Sequence, residues 1–452
     1  MPARLAAAAA LLGAGQFLFQ AAPVSAAGRG ELVRIVVVSR HGVRAPLQKP
    51  EELALWSDKD WPDLSADWRV AKPGDLTPAG KALAALMGGY YRALLVSESA
   101  IPSHGCPSAG SVFVRADVDP RTKDTAAGIL DGLAPGCPGV RVHFLAGDVD
   151  PLFHPVKGKV CAFDRETTEA AILGRTGGGF EAVARADGDS LELLDRILGC
   201  CRPELCRRFG KPDPCRLPDL GSRLEWKEPD DPKKGNAMLS LGGTLGIAST
   251  AAEIFLLEYA GGFKGEKWGF GKIDEAGMLQ LGRLHTLLFD VVERTPYVAR
   301  REGSELLRQV AAILEEREPR LPEMPKSAKA VFLVGHDTNL ADLAAMLGVS
   351  WQQPDYQAND TPPAGALVFE LRRGSDRRQR VFVSYLAQSP EQMAQRTPLD
   401  LDHPPERATL FVPGCSSSSA GYPCSLDSFA GAVEKTLDRE CLALPGGGKK
   451  RP

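Results

Sequence analysis

Residues 35–46 read Ile-Val-Val-Val-Ser-Arg-His-Gly-Val-Arg-Ala-Pro. The continuous apolar run Ile35–Val38 has the pattern of a strand covered on both faces. It runs straight into Arg40, His41 and Arg44, closed by Pro46. A histidine flanked by two guanidiniums is costly unless an anion completes the group. The planar forks of arginine match phosphate oxygens, and an imidazole nitrogen between them can attack phosphorus. The stretch therefore predicts a strand that ends at a phosphoryl-transfer site. In an open α/β sheet, ligands bind beyond the carboxyl ends of the strands, which is where this cluster falls.

Two further clusters follow apolar runs. Val334-Gly335-His336-Asp337-Thr338-Asn339 comes after the strand candidate Ala330–Val334 and before a helical pattern. His336 is a candidate donor to a phosphoryl oxygen. Asp337 is a candidate acid for the departing alcohol, a task worth roughly 10²–10⁴ in rate, although it also fits a helix N-cap. Arg115-Ala-Asp117-Val-Asp119-Pro-Arg121-Thr122 comes after the candidate Ser111–Arg115. Arg121, just ahead of a helix, can join a helix N-terminus at a phosphate, whereas Arg115 reads as an ion-pair partner of Asp117 or Asp119.

The 452 residues, with 44% hydrophobic and 25% charged residues, suffice for a large core. A net charge of −3 gives no reason to expect a nucleic-acid partner. Arg4, the apolar run Leu5–Phe19 and the small residues Val24-Ser25-Ala26-Ala27 describe a secretory leader over 1–27. The product is then periplasmic or secreted, with no later span and no membrane association after cleavage. Ten cysteines in an exported chain point to disulfides. Cys106 and Cys137 bracket one helix–loop unit, and Cys415 and Cys424 a short polar loop. Cys441 needs a distant partner, with Cys161 the candidate. Cys200, Cys201, Cys206 and Cys215 form a local cluster whose spacing, without histidine, is poor for zinc.

Further strand candidates are Arg141–Leu145, Ala366–Leu371 and Arg380–Leu386. Thr77 is the expected N-cap and Pro78 the first residue of a helix running to about Val96. Helices are also expected at Arg121–Leu133, Asp274–Arg294, Ser304–Glu315 and Thr338–Leu347. Between Asp164 and Gly262 the pattern offers helices (Glu166–Leu173, Ser190–Leu198, Thr250–Tyr259) and no strand. The expected organisation is an α/β domain in two parts, 28–160 and 266–444, a smaller inserted helical domain at 161–265, and a disordered tail at 445–452.

The clusters resemble the histidine acid phosphatases, the larger branch of the histidine phosphatases. The family's Arg-His-Gly-x-Arg-x-Pro motif matches Arg40–Pro46, its His-Asp motif matches His336-Asp337, and its Asp-x-Arg-Thr signature matches Asp119–Thr122. Similarity extends through Leu76-Thr77-Pro78-x-Gly80, Asp150–Lys157, Glu253–Leu257 and Asp360–Gly365, and looks closest to bacterial periplasmic phytases and glucose-1-phosphatases. The resemblance implies a histidine-phosphatase-like sheet flanked by helices, and bridges Cys106–Cys137, Cys161–Cys441, Cys415–Cys424 and Cys206–Cys215, with Cys200 and Cys201 extra.

It also implies His41 as nucleophile, Arg40, Arg44, Arg121 and His336 as phosphate ligands, and Asp337 as acid and then base. No metal and no other cofactor is expected, and activity should peak at acid pH. The substrate is expected to be a small phosphomonoester, phytate or a sugar phosphate, handled by a monomer. Phytases of this type usually carry Thr-Lys after the first motif. Leu47-Gln48 stands there instead, on the glucose-1-phosphatase side, whereas His-Asp-Thr-Asn at 336–339 is phytase-like and Lys49 could replace the missing lysine. Candidate wall residues are Gln48, Thr338, Glu253, His285 and Arg300 or Arg301. His154 reads as structural, and Trp56, Trp61 and Trp68 as core. A phospho-ligand binding protein with a dead site is the alternative from another class, and the complete set of a nucleophile and an acid argues against it.

Overall fold

The computed structural model describes residues 29–229, 235–318, 321 and 323–443. The expected leader (1–27) and the 445–452 tail lie outside the described residues. The opening apolar run forms β1 (Glu31–Arg40). The other strands are β2 (Val112–Ala116), β3 (Val142–His143), β4 (Ser222–Lys227), β5 (Met238–Gly243), β6 (Ala330–Gly335), β7 (Ala366–Arg373), β8 (Gln379–Ala387), β9 (Glu406–Leu410) and β10 (Cys424–Ser425). The large sheet runs β10-β8-β7-β1-β6-β2-β3, with β9 paired to β8. β1, β6, β2 and β3 are mutually parallel, while β7 and β8 continue antiparallel.

Alternation along β1 sends Val36 and Val38 into one apolar layer, with Phe113, Leu333 and Phe369. Ile35 and Val37 enter the opposite layer, with Val114, Phe332 and Val368. Helices Pro78–Ser97 and Pro120–Leu133 close the second layer through Met87, Tyr91, Ile129 and Leu133. Helices Thr244–Gly261, Pro296–Glu315 and Asp337–Leu347 cover the first. A strand buried on both faces cannot alternate polar with apolar, which is why the run Ile35–Val38 is continuous.

The register matters for function. Arg40 is level with Gly335, and Val334 with Ala116. Three parallel strands thus end on one ledge, and the residues that follow them meet there. Thr77 caps its helix as expected, its side chain accepting from the Gly80 N–H at 2.9 Å.

Three expectations are corrected. The segment expected to lack strands contains the hairpin β4–β5. It is a two-stranded ribbon covered on one side only, where Leu224, Leu239 and Leu241 join the small cluster around Ile172 and Phe180, so it has no continuous apolar run to detect. The candidate Arg141–Leu145 shrinks to Val142–His143, because it ends the sheet and leaves Phe144 and Leu145 exposed. The helix expected from Ser304 begins at Pro296, a favourable first position hidden by the polar run that follows. The four implied bridges are present, and Cys200 pairs with its neighbour Cys201.

Candidate active site

The strand ladder continues past β1 into the first motif. The His41 N–H donates to the Gly335 carbonyl, the Arg40 N–H to Gly365, and the Ala364 N–H to His41. The Gly42 N–H donates to Thr125 Oγ1 at 2.9 Å. The loop also presses on the start of helix Pro78–Ser97: a methyl group on Gly80 would lie 2.1 Å from the Val43 carbonyl oxygen, and one on Gly42 2.9 Å from that of Gly80. These glycines serve close backbone approach, not a special turn. With the backbone held on both sides, Arg40, His41 and Arg44 are placed rigidly, and each is buried.

Glu253, from helix Thr244–Gly261, ties the arginines together. One carboxylate oxygen pairs with Arg40 and the other with Arg44 Nη2 at 2.8 Å. Arg40 Nη2 also lies 3.0 Å from Asp337 Oδ2. The third arginine of the set is Arg121, whose Nη2 approaches His336 Nδ1 at 3.2 Å and Asp119 Oδ2 at 2.6 Å. The rings of His41 and His336 stand 5.6 Å apart. All six residues singled out for chemistry therefore converge on the ledge.

The proton positions follow from the partners. His41 Nδ1 lies 2.9 Å from the Gly42 carbonyl oxygen, which can only accept, so Nδ1 carries the proton and Nε2 keeps its lone pair. Burial, then Arg40, Arg121 and Arg44, hold this imidazole well below its ordinary pKa. At His336 the guanidinium on Nδ1 can only donate, so Nε2 carries the proton and gives it to Asp117 Oδ2 at 2.8 Å. Burial lowers His336 to about 4 even though Asp117 opposes the shift. Burial raises the Asp337 carboxyl, but Arg40, His41, His285 and Arg44 outweigh it and hold the group below the usual carboxylate range.

Asp117 and His154 extend the site beyond the residues expected. Asp117, the first residue after β2, is fully buried and accepts from His336. Its Oδ2 also lies 3.2 Å from His154 Nε2, whose ring sits tilted at 41°, 4.9 Å from that of His336. His154 thus belongs to the second layer of the site, not to remote structure. The position of Asp117 one residue past a strand end was the available signal. Arg115 pairs with Asp150 at 2.6 Å and with Glu323, not with Asp117 or Asp119; the chain leaves β2 after Ala116, and Asp117 is taken up by His336 and His154.

Of the wall candidates, Glu253 joins the two arginines directly, and His285 Nδ1 contacts Ser249 Oγ at 3.2 Å beside it. Thr338 is half-buried next to Asp337, and its N–H donates to Asp337 Oδ1. Gln48 is half-buried with an unpartnered Oε1. Arg300 does not join the site: it donates to the Leu437 carbonyl, and Arg301 pairs with Asp438 and Glu440, so both secure the C-terminal segment. Trp56 and Trp68 are core, and Trp61 stacks on Phe255.

Among the described residues, two sets of side chains bring possible metal-ligand atoms within 4.8 Å of one another: Asp117, His154 and His336, and Glu253, His285 and Asp337. In the first, both imidazoles already share one carboxylate oxygen. In the second, two guanidiniums occupy Glu253 and oppose a further cation.

Comparison with known proteins agrees with this geometry over most of the chain. The phytase AppA of Escherichia coli (strain K12) is 36% identical over 419 residues, covering 91% of this chain and 93% of the relative. A glucose-1-phosphatase of Salmonella typhimurium is 29% identical over 405 residues, covering 88% and 91%. The apo form of the Hafnia alvei phytase superposes with a TM-score of 0.84 at 35% identity, covering 93% of this chain and all of that one. Its complex with myo-inositol hexakis sulphate gives 0.82 at 34%, covering 92% and 99%. The family model for the histidine phosphatase superfamily (branch 2) matches residues 31–212 and 213–387, from the first residue of β1 to the last of β8, and the chain belongs to that family.

Proposed function

We propose that the protein is an acid phosphomonoesterase that works through a phosphohistidine. The observation that carries this is the Nε2 lone pair of His41, fixed by the Gly42 carbonyl and set among three arginines. Nε2 attacks phosphorus as the ester P–O bond breaks. Arg40, Arg44 and Arg121 hold the equatorial oxygens, where charge develops. The phosphoryl group draws Arg121 away from His336 Nδ1, which then takes up a proton and donates to the same oxygens, with the Asp117 carboxylate supporting the imidazolium. Asp337 gives its proton to the leaving oxygen. Water then attacks the phosphohistidine with Asp337 as base, and inorganic phosphate leaves.

The lowered pKa of Asp337 is compatible with an acid role because the substrate is itself an anion. A phosphate dianion on Arg40 and Arg44 offsets the charges that hold the carboxyl down, and burial then acts unopposed to raise it. The low pKa of His41 keeps the nucleophile neutral at the acid pH where Asp337 is protonated. Both point to an acid optimum.

For the substrate we propose an inositol polyphosphate, on the strength of the phytase relatives. A sugar monophosphate is the second reading. It rests on Leu47, which is 49% exposed and flanks Gly74 together with Arg121, so that it offers an apolar edge where a second phosphate would need a cation. The segment 161–265, proposed as the inserted unit, supplies Glu253 to the arginines. The apolar leader and the five disulfides fit a periplasmic enzyme. Rapid-quench labelling with [³²P]phosphoester should trap an acid-labile, base-stable phosphoenzyme that His41→Ala lacks. Undiminished hydrolysis by His41→Ala would overturn the proposal.

A further inference from the structure

Beside the phosphate cradle lies a cavity of about 180 Å³ whose largely apolar wall carries three acids. Glu293 follows helix Glu275–Val291, Glu302 sits on helix Pro296–Glu315, and Asp342 on helix Asp337–Leu347. The cavity adjoins the site: its wall includes His154, whose ring lies against His336, and Thr338 and Asn339, the two residues after Asp337. It therefore lies beside His336 and the first turn of the helix that carries Asp337, near enough for Asp337 to act on Glu293. Among the described residues, none of those lining it is arginine or lysine.

These carboxyls are not structural ion pairs. Asp342 is fully buried with neither oxygen hydrogen-bonded, and Glu302, 8% exposed, has no side chain paired with its carboxylate. Buried polar groups in that condition are destabilising unless something completes them. Helix Glu275–Val291 and its end contribute Glu293, helix Asp337–Leu347 contributes Asp342 and Asp337, and the 153–157 loop contributes His154 and Lys157. β5 contributes only Met238 and Leu239. Burial pushes Glu302 up to about 7, against the pull of His154, the Val156 amide and Lys157. Burial, then Glu302 and Asp337, push Glu293 up to about 8, although its side chain still reaches the cavity surface. Burial and the two glutamates also raise Asp342 well above its ordinary range.

We propose that this cavity is the leaving-group subsite, and that Glu293, Glu302 and Asp342 make its tolerance of a polyphosphorylated ring depend on pH. This rests on the phosphatase function proposed above and adds a rule for its substrate. Protonated, the three groups carry no charge, and the phosphates of a ring seated against Asp337 meet no repulsion from this wall. Ionised, they face any second phosphate as like charges in a poorly screened pocket, while a ring carrying only the reacting phosphate presents hydroxyls there and is still accepted. At acid pH the enzyme then takes inositol polyphosphates, and towards neutrality it becomes selective for sugar or polyol monophosphates.

The probe is myo-inositol hexakis sulphate, whose sulphates stay ionised throughout the range, so that only the protein titrates. Its affinity for the intact enzyme is measured by calorimetry at pH 5 and pH 8. The wild-type affinity should fall by tenfold or more, whereas the Glu302→Gln/Asp342→Asn variant should show a fall smaller by about tenfold, one pK unit of lost coupling. Glu293→Gln, at a half-buried position, gives a second variant should the double change fail to fold, and its fall should also be smaller than wild type. Equal affinity at both pH values, or an equal fall in wild type and variants, would overturn the subsite. Hydrolysis of p-nitrophenyl phosphate, measured alongside, reports separately on the proposed phosphatase. If it proceeds through His41 while the affinities show no such pattern, only the subsite fails. If His41→Ala hydrolyses normally, the chemistry fails whatever the affinities.

Discussion

Replacing Asp337 with Asn removes a proton while preserving shape, and the cost should depend on the leaving group. Asp337 Oδ2 lies 3.0 Å from Arg40 Nη2, and Oδ1 accepts from the Thr338 N–H at 2.9 Å. A single amide oxygen can keep one of these contacts, and Arg40 retains Glu253. The stability cost should therefore stay below the roughly 3–5 kcal/mol of leaving a buried charge wholly unpaired. Catalysis loses its acid. For an inositol or glucose monoester the departing alkoxide needs a proton, and the loss should be roughly 10²–10⁴ in kcat, or about 3–5 kcal/mol of transition-state stabilisation. p-Nitrophenolate is stable as an anion, so with that ester the loss should be on the order of tenfold or less. The assay is single-turnover phosphorylation of His41 with both esters across acid pH, alongside thermal unfolding. Equal losses for the two esters, with the fold intact, would refute the assignment of Asp337 as acid.

Asp117→Asn should lower kcat by about 10–100-fold with little change in KM, because an amide cannot support the imidazolium of His336. His154→Asn should cost less, since Asp117 still holds His336; steady-state pH profiles of the two variants test both. Glu253→Gln removes a negative charge that helps keep a proton on Asp337, so the alkaline limb of kcat should move to lower pH, read from the same profiles. Stability should also respond to pH. Glu302 is raised from 4.5 to about 7 on folding, so between these values the unfolded chain has lost a proton that the folded chain keeps. Stability should then fall as pH rises through this window, by up to about 3 kcal/mol from this group. Thermal melts of Glu302→Gln should show a flatter dependence, and a wild type that grows more stable from pH 5 to 7 would contradict the placement of this carboxyl.

The catalytic half of the site was legible because its information is local. Each cluster follows an apolar run, and a parallel sheet brings the ends of its strands together whatever the chain does between them. Arg40–Arg44, Arg121 and His336-Asp337 could therefore be combined from three short stretches. Asp117 holds the same position after β2, but Arg115 beside it suggests a local ion pair and masks its role. The partner of Arg115 is Asp150, brought to it by a loop more than thirty residues away that no local pattern announces. His154 could not be linked to His336 at all from sequence, because its place depends on how the loop after β3 folds back over the ledge.

The wall beyond the phosphate obeys a different logic. Glu253 is only one wall candidate among several in the sequence, and it is the packing of helix Thr244–Gly261 that turns it toward Arg40 and Arg44. Glu293, Glu302 and Asp342 are scattered among ordinary helical charges, and Glu302 sits next to Arg300 and Arg301, the pair that supplies a wall candidate. On one helix, neighbours in sequence point about 100° apart. Arg300 and Arg301 consequently turn to the C-terminal segment while Glu302 turns to the cavity. A positive candidate in the sequence thus becomes a negative wall in the fold. The motif Arg40–Pro46 sets which bond is broken, but the rotation of one helix by one residue decides the charge that greets the rest of the substrate.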